Sequence, residues 1–332
     1  LRVKVVAAHS GGYPRPPEWR KSIDLYNSGK MDYISLMNTW ERNTKRVIYE
    51  QMEEGLDLIT TGHLAWDDIF RPFAVSWSGI ELPEVGGYHR FYELNFYYKK
   101  PIVEGPIRPT KPVMYKEQIL AYEVSPRTLK ISVPGPLTFA LHVENKFYES
   151  ADDLLDDLTY ALAYEINAVE DFVDYIQIEE PALVDPEVRP EDIDIGIEYI
   201  NKLANMLVKP VIVKTYFKPA ESIYRLLISL DVDGLGFDMI AWNYEDAKET
   251  INEYGYPFQI IDLGVGDALN VRLEPIEENV SKIMGVIDEA CPKEIHISHN
   301  YRLDVIPYSH VRKKLRRVSE IALKLREMIE EG

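Results

Sequence analysis

The stretch Tyr175-Ile176-Gln177-Ile178-Glu179-Glu180-Pro181-Ala182-Leu183 places two adjacent carboxylates directly behind a short apolar run. The run has strand character, and Pro181 has no N–H with which to continue a ladder. Charges at the carboxyl end of a buried strand face a cleft instead of the core. Carboxyls held there can act as acid and base, or bind a cation through oxygen. The local alternative is a pair that opens a helix in solvent.

Other polar groups follow apolar runs in the same way. His63, Asp67 and Asp68 lie in Gly62–Asp68, Asp238 follows Val232–Phe237, and His299 sits in Ser298–Leu303. Tyr13 and Arg15 lie in Gly11–Arg15, with Arg20 and Lys21 a few residues on, and Tyr216 ends Val211–Tyr216. Converging from different strand ends, His63, Asp67, Glu179, Asp238 and His299 could hold a hard metal through oxygen and imidazole, or move protons. Each also has a packing alternative: His63 as a core histidine, Asp67 and Asp68 opening a helix, His299 under the last helix. Their concentration at one rim is what favours a binding site.

Eight apolar runs bounded by turn residues carry these groups: Val3–Ala8, Leu56–Thr61, Leu129–Pro134, Tyr175–Glu179, Val211–Tyr216, Val232–Phe237, Phe258–Leu263 and Glu294–Ser298. Helical patterns fill the intervals, over Tyr33–Glu54, Asp152–Phe172, Pro275–Ala290 and Ser309–Glu330. Strand–helix alternation repeated in this way predicts an α/β fold, a (β/α)8 TIM barrel over residues 1–332. A doubly wound open sheet is the alternative, but no Gly-rich phosphate turn follows the first strand. Residues 73–125, between strands two and three, are rich in Pro, Tyr and Gly, and predict an ordered insertion over the barrel mouth. The terminal helix is expected to close the barrel.

Composition narrows the function. With 332 residues, 46% of them hydrophobic, the chain can bury a large core. Its 37 basic against 55 acidic residues give a net charge of −18, which opposes binding to nucleic acid or anionic membranes. No apolar run of membrane-spanning length occurs, and the sequence opens on a strand with no signal peptide, so a cytoplasmic location is expected. The single cysteine, Cys291, excludes a disulfide framework and a cysteine-based zinc cage. Abundant Lys, Glu, Tyr and Ile lean towards a thermophilic source.

The strings GYPR at 12–15, TGHLAWDD at 61–68, VPGPLTF at 133–139, IQIEEPAL at 176–183 and SHNYRL at 298–303 resemble, in order, motifs of cobalamin-independent methionine synthase. That enzyme is built from two related barrels, of the type also found in uroporphyrinogen decarboxylase. VKTYF at 213–217 and DLGVGDALNVR at 262–272 resemble the amino-terminal, non-zinc barrel, with Arg272 where tryptophan is usual. The His, Cys, Glu and Cys that hold zinc in the catalytic half fall at Lys214, Tyr216, Asp238 and Tyr301. An ammonium and two phenols do not make a thiolate site, so no metal is expected on this chain.

The resemblance implies an accessory or substrate-binding barrel, with zinc and a folate-type methyl donor expected for a separate catalytic chain as partner. Tyr13, Arg15, Lys21, His63, Asp67, Asp68, Glu179, Tyr216, Asp238 and His299 are the candidate substrate-binding residues, the basic turn being suited to a carrier's carboxylates. Two other functions fit the same residues: an independent enzyme with altered chemistry at the strand ends, and a non-catalytic scaffold.

Overall fold

All eight apolar runs form strands of one parallel sheet. In the computed structural model, which describes residues 3–92 and 94–331, these are β1 (Lys4–Ala7), β2 (Leu58–Ile59), β3 (Thr128–Pro134), β4 (Tyr175–Glu179), β5 (Val211–Lys214), β6 (Gly234–Asp238), β7 (Ile260–Gly266) and β8 (Glu294–His299). Strand neighbours run β1-β8-β7-β6-β5-β4-β3-β2. A parallel bridge between Ala8 and Leu58 joins the two ends and closes the (β/α)8 barrel.

The helices are α1 (Pro17–Asn27), α2 (Tyr33–Glu53), α3 (Arg71–Ser76), α4 (Tyr115–Val124), α5 (Pro136–Leu141), α6 (Ala151–Asn167), α7 (Pro190–Ala204), α8 (Tyr224–Leu227), α9 (Tyr244–Tyr254), α10 (Ile276–Ala290) and α11 (Tyr308–Glu331). Their starts follow local chemistry. Asp32, Ser150 and Asn243 cap α2, α6 and α9 by accepting N–H groups of the first turn, and prolines open α1, α5 and α7. α11 packs on β1, β8, α10 and α2, completing the helical ring.

Three details differ from the sequence pattern. α1 was not expected, because its apolar residues are few and only Trp19 and Ser22 are buried. The pattern over Asp152–Phe172 ends as α-helix at Asn167, and a separate 3-10 turn covers Glu170–Phe172. The insertion is not a mouth cover along its whole length: α4 packs on α2 as an ordinary outer helix of the barrel. The part before it lends Arg90, Tyr92 and Phe96 to cavities at the carboxyl ends of the strands. The strand Ser78–Glu81 pairs antiparallel with Ile102–Arg108, and a hairpin pairs Tyr88–Arg90 with Tyr97–Lys99. Phe91 and Tyr98 are buried, within 5.2–5.9 Å of the Phe70 and His142 rings, and anchor this flap.

The barrel interior is polar, whereas branched apolar side chains usually fill it. Lys130 donates to Gln177 Oε1 at 2.7 Å, and Gln177 donates to Ser132 Oγ and the Ser10 carbonyl. Lys214 Nζ donates to Asp262, to Ser298 Oγ at 2.7 Å and to the His299 carbonyl at 2.8 Å. Burial opposes the charge on Asp262, but the Lys214 and Lys130 ammoniums hold its carboxyl below the usual carboxylate range. Buried ions are tolerated when paired and hydrogen-bonded as these are.

Candidate functional site

At the carboxyl ends of the strands two cavities flank a central plug. The wider, about 830 Å³, lies beside the loops after β4 to β8, and its lining includes Tyr92, His142, Tyr216, Phe217, Asp238, Leu269 and Asn300. The narrower, about 380 Å³, lies beside the loops after β1 and β2, lined by residues including Tyr13, Arg15, Arg20, His63, Trp66, Asp67, Phe96 and Asp304. A third cavity, about 840 Å³, opens at the opposite face beside Lys4, Met284, Cys291 and Met328. Ligand chemistry in this architecture belongs to the carboxyl face, so the two mouth cavities are the candidates.

The plug is made of residues between these cavities. Glu179 is buried, accepts the Tyr216 hydroxyl on Oε2 at 2.8 Å and the Ser132 hydroxyl on Oε1. The Tyr216 and Tyr301 rings meet edge to face at 4.9 Å. Buried Arg302 pairs with Asp304 at 2.5 Å. Glu180 points elsewhere: it accepts the Leu137 and Thr138 N–H groups at the start of α5, and burial pushes its carboxyl up to about 7.

The candidate residues fall into distinct environments. Tyr13 donates to Glu50 at 2.6 Å and lines the narrow cavity. Arg15 lines it too, but its guanidinium is committed to the Leu64 and Trp66 carbonyls and to Asp67. Asp67 also pairs with Arg71. Lys21 is exposed on α1, and the cation from this helix that reaches the cavity is Arg20. Asp68 is buried; it accepts the Phe70 and Arg71 N–H groups, which opens α3, and the Lys99 N–H, which ties down the flap. Asp238 accepts from four donors, the N–H groups of Phe217, Ile240 and Ala241 and the Asn300 amide. Alternation along β8 turns Ser298 inward and His299 outward, where its ring lies beside Gly266 and within electrostatic reach of Lys314 on α11.

Among the candidate residues lining the narrow cavity, His63 is the one whose ring nitrogens have no hydrogen-bond partner among the described residues. It is buried in the cavity's wall and stacks on Trp66 at 3.9 Å. Its Nε2 is 3.9 Å from Glu117 Oε1, and burial pushes Glu117 up to about 8 and His63 far below its ordinary value. Neighbouring Arg302 Nε, Asp304 Oδ1 and His9 Nε2 also lack hydrogen-bond partners among the described residues. Unpaired buried groups in one neighbourhood mark a place for a polar ligand or water.

Backbone strain gathers at the same rim. His63 (φ 50°), Tyr92 (φ 51°) and Phe217 (φ 76°) are left-handed, each a conformation costing about 1–3 kcal/mol for such side chains. Glu117, Tyr92, Phe217, Asn300, Arg302 and Asp304 were not singled out from the sequence. Arg302 and Asn300 stood within the strand-eight turn and were within reach of that argument; Glu117 comes from a helix pattern that the insertion concealed.

The four positions that would hold zinc do not suit it. Lys214 is itself a cation in an ion pair, and Asp238 has its oxygens filled by four N–H donors. Burial pushes the Tyr216 and Tyr301 phenols well above their ordinary value, so both keep their protons. Among the described residues no cluster of three or more His, Cys, Asp or Glu side chains is arranged to take a metal ion. Nor, among them, is any helix long and apolar enough to cross a membrane.

Fold and site thus define a (β/α)8 barrel with a flap-covered, aromatic mouth built on motif-bearing strand ends. Residues 86–290 match the family described as "Cobalamin-independent synthase, N-terminal domain", and the chain belongs to that family. It is 29% identical over 307 residues to the methionine synthase of Saccharolobus solfataricus, covering 92% of this chain and 90% of that protein. Against the methionine synthase of Sulfolobus acidocaldarius it is 27% identical over 319 residues, covering 96% and 91%. A B12-independent methionine synthase from Shewanella sp. W3-18-1, solved with selenomethionine, superposes with a TM-score of 0.84 at 17% identity over all of both chains. At that identity the superposition speaks for the fold.

Proposed function

We propose that this chain is an accessory, substrate-binding barrel for methyl transfer to homocysteine, the transfer itself occurring on a separate zinc-bearing barrel. The observation that carries this reading is the occupation of the four metal positions by Lys214, Tyr216, Asp238 and Tyr301, each already engaged with protein partners or packed in the plug. The chain keeps family motifs at the mouth while its own side chains fill the place where thiolates would stand. The ligand is a small molecule held in the mouth. A sulfur amino acid suits the narrow cavity, where Arg20 can meet a carboxylate and Asp304 an ammonium. The folate-carboxylate role expected of Arg15 is weakened by its existing partners.

The reading is tested by copurifying the chain with a zinc-bearing homologue from the same organism and assaying methyl transfer to homocysteine with and without it. A stable complex, or a rate that depends on this chain, supports the accessory role. Methyl transfer by this chain alone would replace it with the independent-enzyme reading, which the single-barrel length of the relatives named methionine synthase keeps in play.

A further inference from the structure

Phe217 packs beside Tyr216 in the wall of the wide mouth cavity, and the Glu179 carboxylate lies behind these rings. The Phe217 ring is 4.6 Å from that of Tyr216 and 4.8 Å from that of Tyr301, and the flap's Tyr92 closes on it at 5.6 Å. Tyr216 and Phe217 line the cavity; Glu179 does not reach it and is 2% exposed. An aromatic floor thus covers a carboxylate that already has two hydroxyl donors.

The backbone of Phe217 is the strained part of this floor. Its φ of 76° lies where β-carbon-bearing residues are disfavoured, and a bulky ring adds to the cost. Its ring is held by the surrounding aromatics, and its backbone by a hydrogen bond: the Phe217 N–H donates to Asp238 Oδ2 at 2.9 Å. Asp238 is in turn braced by the Asn300 amide at 3.1 Å, and Asn300 Oδ1 accepts the Ala268 N–H at 2.9 Å. The loops after β5, β6, β7 and β8 are therefore tied together through one carboxylate. Loss of the Asp238 acceptor would let that backbone strain relax, and relaxation would withdraw the ring from the floor.

We propose that Phe217 is a specificity-determining gate and Asp238 the positioning residue that holds it shut, so that ligands in the wide cavity are kept off the Glu179 carboxylate unless the gate opens. The substrate-site part of this inference rests on the reading of the mouth given above; the gate itself does not. Once open, the cavity gains an anionic wall that takes a ligand group able to donate, an ammonium or a hydroxyl. The closed gate selects ligands that need only the aromatic floor.

Nitration by tetranitromethane reads the gate directly, because it requires access to a tyrosine ring and its phenolate. The full chain is treated at mildly alkaline pH and nitration is located by peptide mass spectrometry, with Tyr33, 61% exposed, as the internal reference. Tyr216 is expected to be protected in the natural chain. Phe217→Gly and Asp238→Asn should each raise its nitration relative to Tyr33 by roughly tenfold or more, a factor equivalent to about 1.4 kcal/mol. Phe217→Leu, which keeps bulk at the gate, should stay close to the natural chain. Ready nitration of Tyr216 in the natural chain, or none gained in Phe217→Gly, would overturn the proposal.

Thermal unfolding guards against a trivial loss of fold. Glycine accepts this backbone and alanine does not, so Phe217→Gly should melt above Phe217→Ala; the reverse order would also overturn the gate. None of these measurements needs a ligand or partner chain. A chain that gates Tyr216 but neither binds methionine nor joins a zinc-bearing barrel would leave the gate standing and remove the function proposed above.

Discussion

The Tyr216 hydroxyl donates to Glu179 Oε2 across 2.8 Å, and both residues are buried. A motif carboxylate at the end of β4 is thereby neutralised in hydrogen-bonding terms by a residue at the end of β5. Ser132, on β3, supplies the other oxygen's donor. The arrangement turns what sequence spacing presents as a reactive carboxyl into a structural one for as long as the phenol stays in place.

Removing that phenol should therefore be costly. Tyr216→Phe leaves Glu179 Oε2 buried without its donor, and the expected loss is about 1–3 kcal/mol of unfolding free energy. Urea denaturation of the two chains checks this. A variant as stable as the natural chain would mean that water replaces the phenol and that Glu179 is already accessible.

The Lys214–Asp262 pair, with Nζ 3.2 Å from Oδ2, makes a second stability prediction. Lys214→Met strands the Asp262 carboxylate in the barrel with Ser298 and a Lys130 ammonium at 4.0 Å, and should cost about 3–5 kcal/mol. Adding Asp262→Leu should cost much less than the sum of the single changes, because the stranded charge goes with it. Here burial is the largest influence on Lys130 and pushes its ammonium down to about 8, so it can shed its proton when the carboxylate is removed. Strict additivity in a double-mutant cycle would refute the pairing.

Much of this network could be read in the strands. Leu129-Lys130-Ile131-Ser132-Val133 and Tyr175-Ile176-Gln177-Ile178-Glu179 alternate polar and apolar residues, and in a barrel wrapped by helices the polar set must point inward. All eight strands were legible for a related reason: buried strands bounded by turns give short, unambiguous runs. The flap's internal pairing was not, because Ser78–Glu81 and Ile102–Arg108 are too exposed to alternate cleanly. Nor could spacing reveal that Arg15 is spent on two backbone carbonyls, or that Phe217 is left-handed. Those facts depend on where distant loops lie, and such loops are set by tertiary contacts that no local pattern records.

Metal removal should have no effect on this chain. Dialysis against a chelator is expected to leave the melting temperature unchanged within about 1 °C, since a lost structural zinc would lower it far more. The same treatment should abolish methyl transfer by a zinc-bearing partner. A chain that arrives with one equivalent of divalent ion and melts earlier without it would show that the strand-end oxygens and imidazoles have found another use.

Stability should peak in mildly acidic solution, because two sets of buried groups pull in opposite directions. Burial raises Glu117 to about 8 and Glu180 to about 7, so the folded chain holds protons that the unfolded chain releases above its ordinary carboxyl value. Their stabilising contribution is complete below that value and is lost as pH rises through 7 and 8. Burial lowers His9 to about 3 and drives His63 and His299 well down, so these contribute stability above the ordinary imidazole value and lose it as pH falls below. The two slopes leave a maximum between about pH 5 and 6.5. Glu117→Gln removes one titrating group while keeping its shape, and should flatten the alkaline limb by an amount on the order of a few kcal/mol between about pH 5 and 9. Melting curves across that range decide it: an alkaline limb unchanged by the substitution would mean that Glu117 is already ionised in the folded chain.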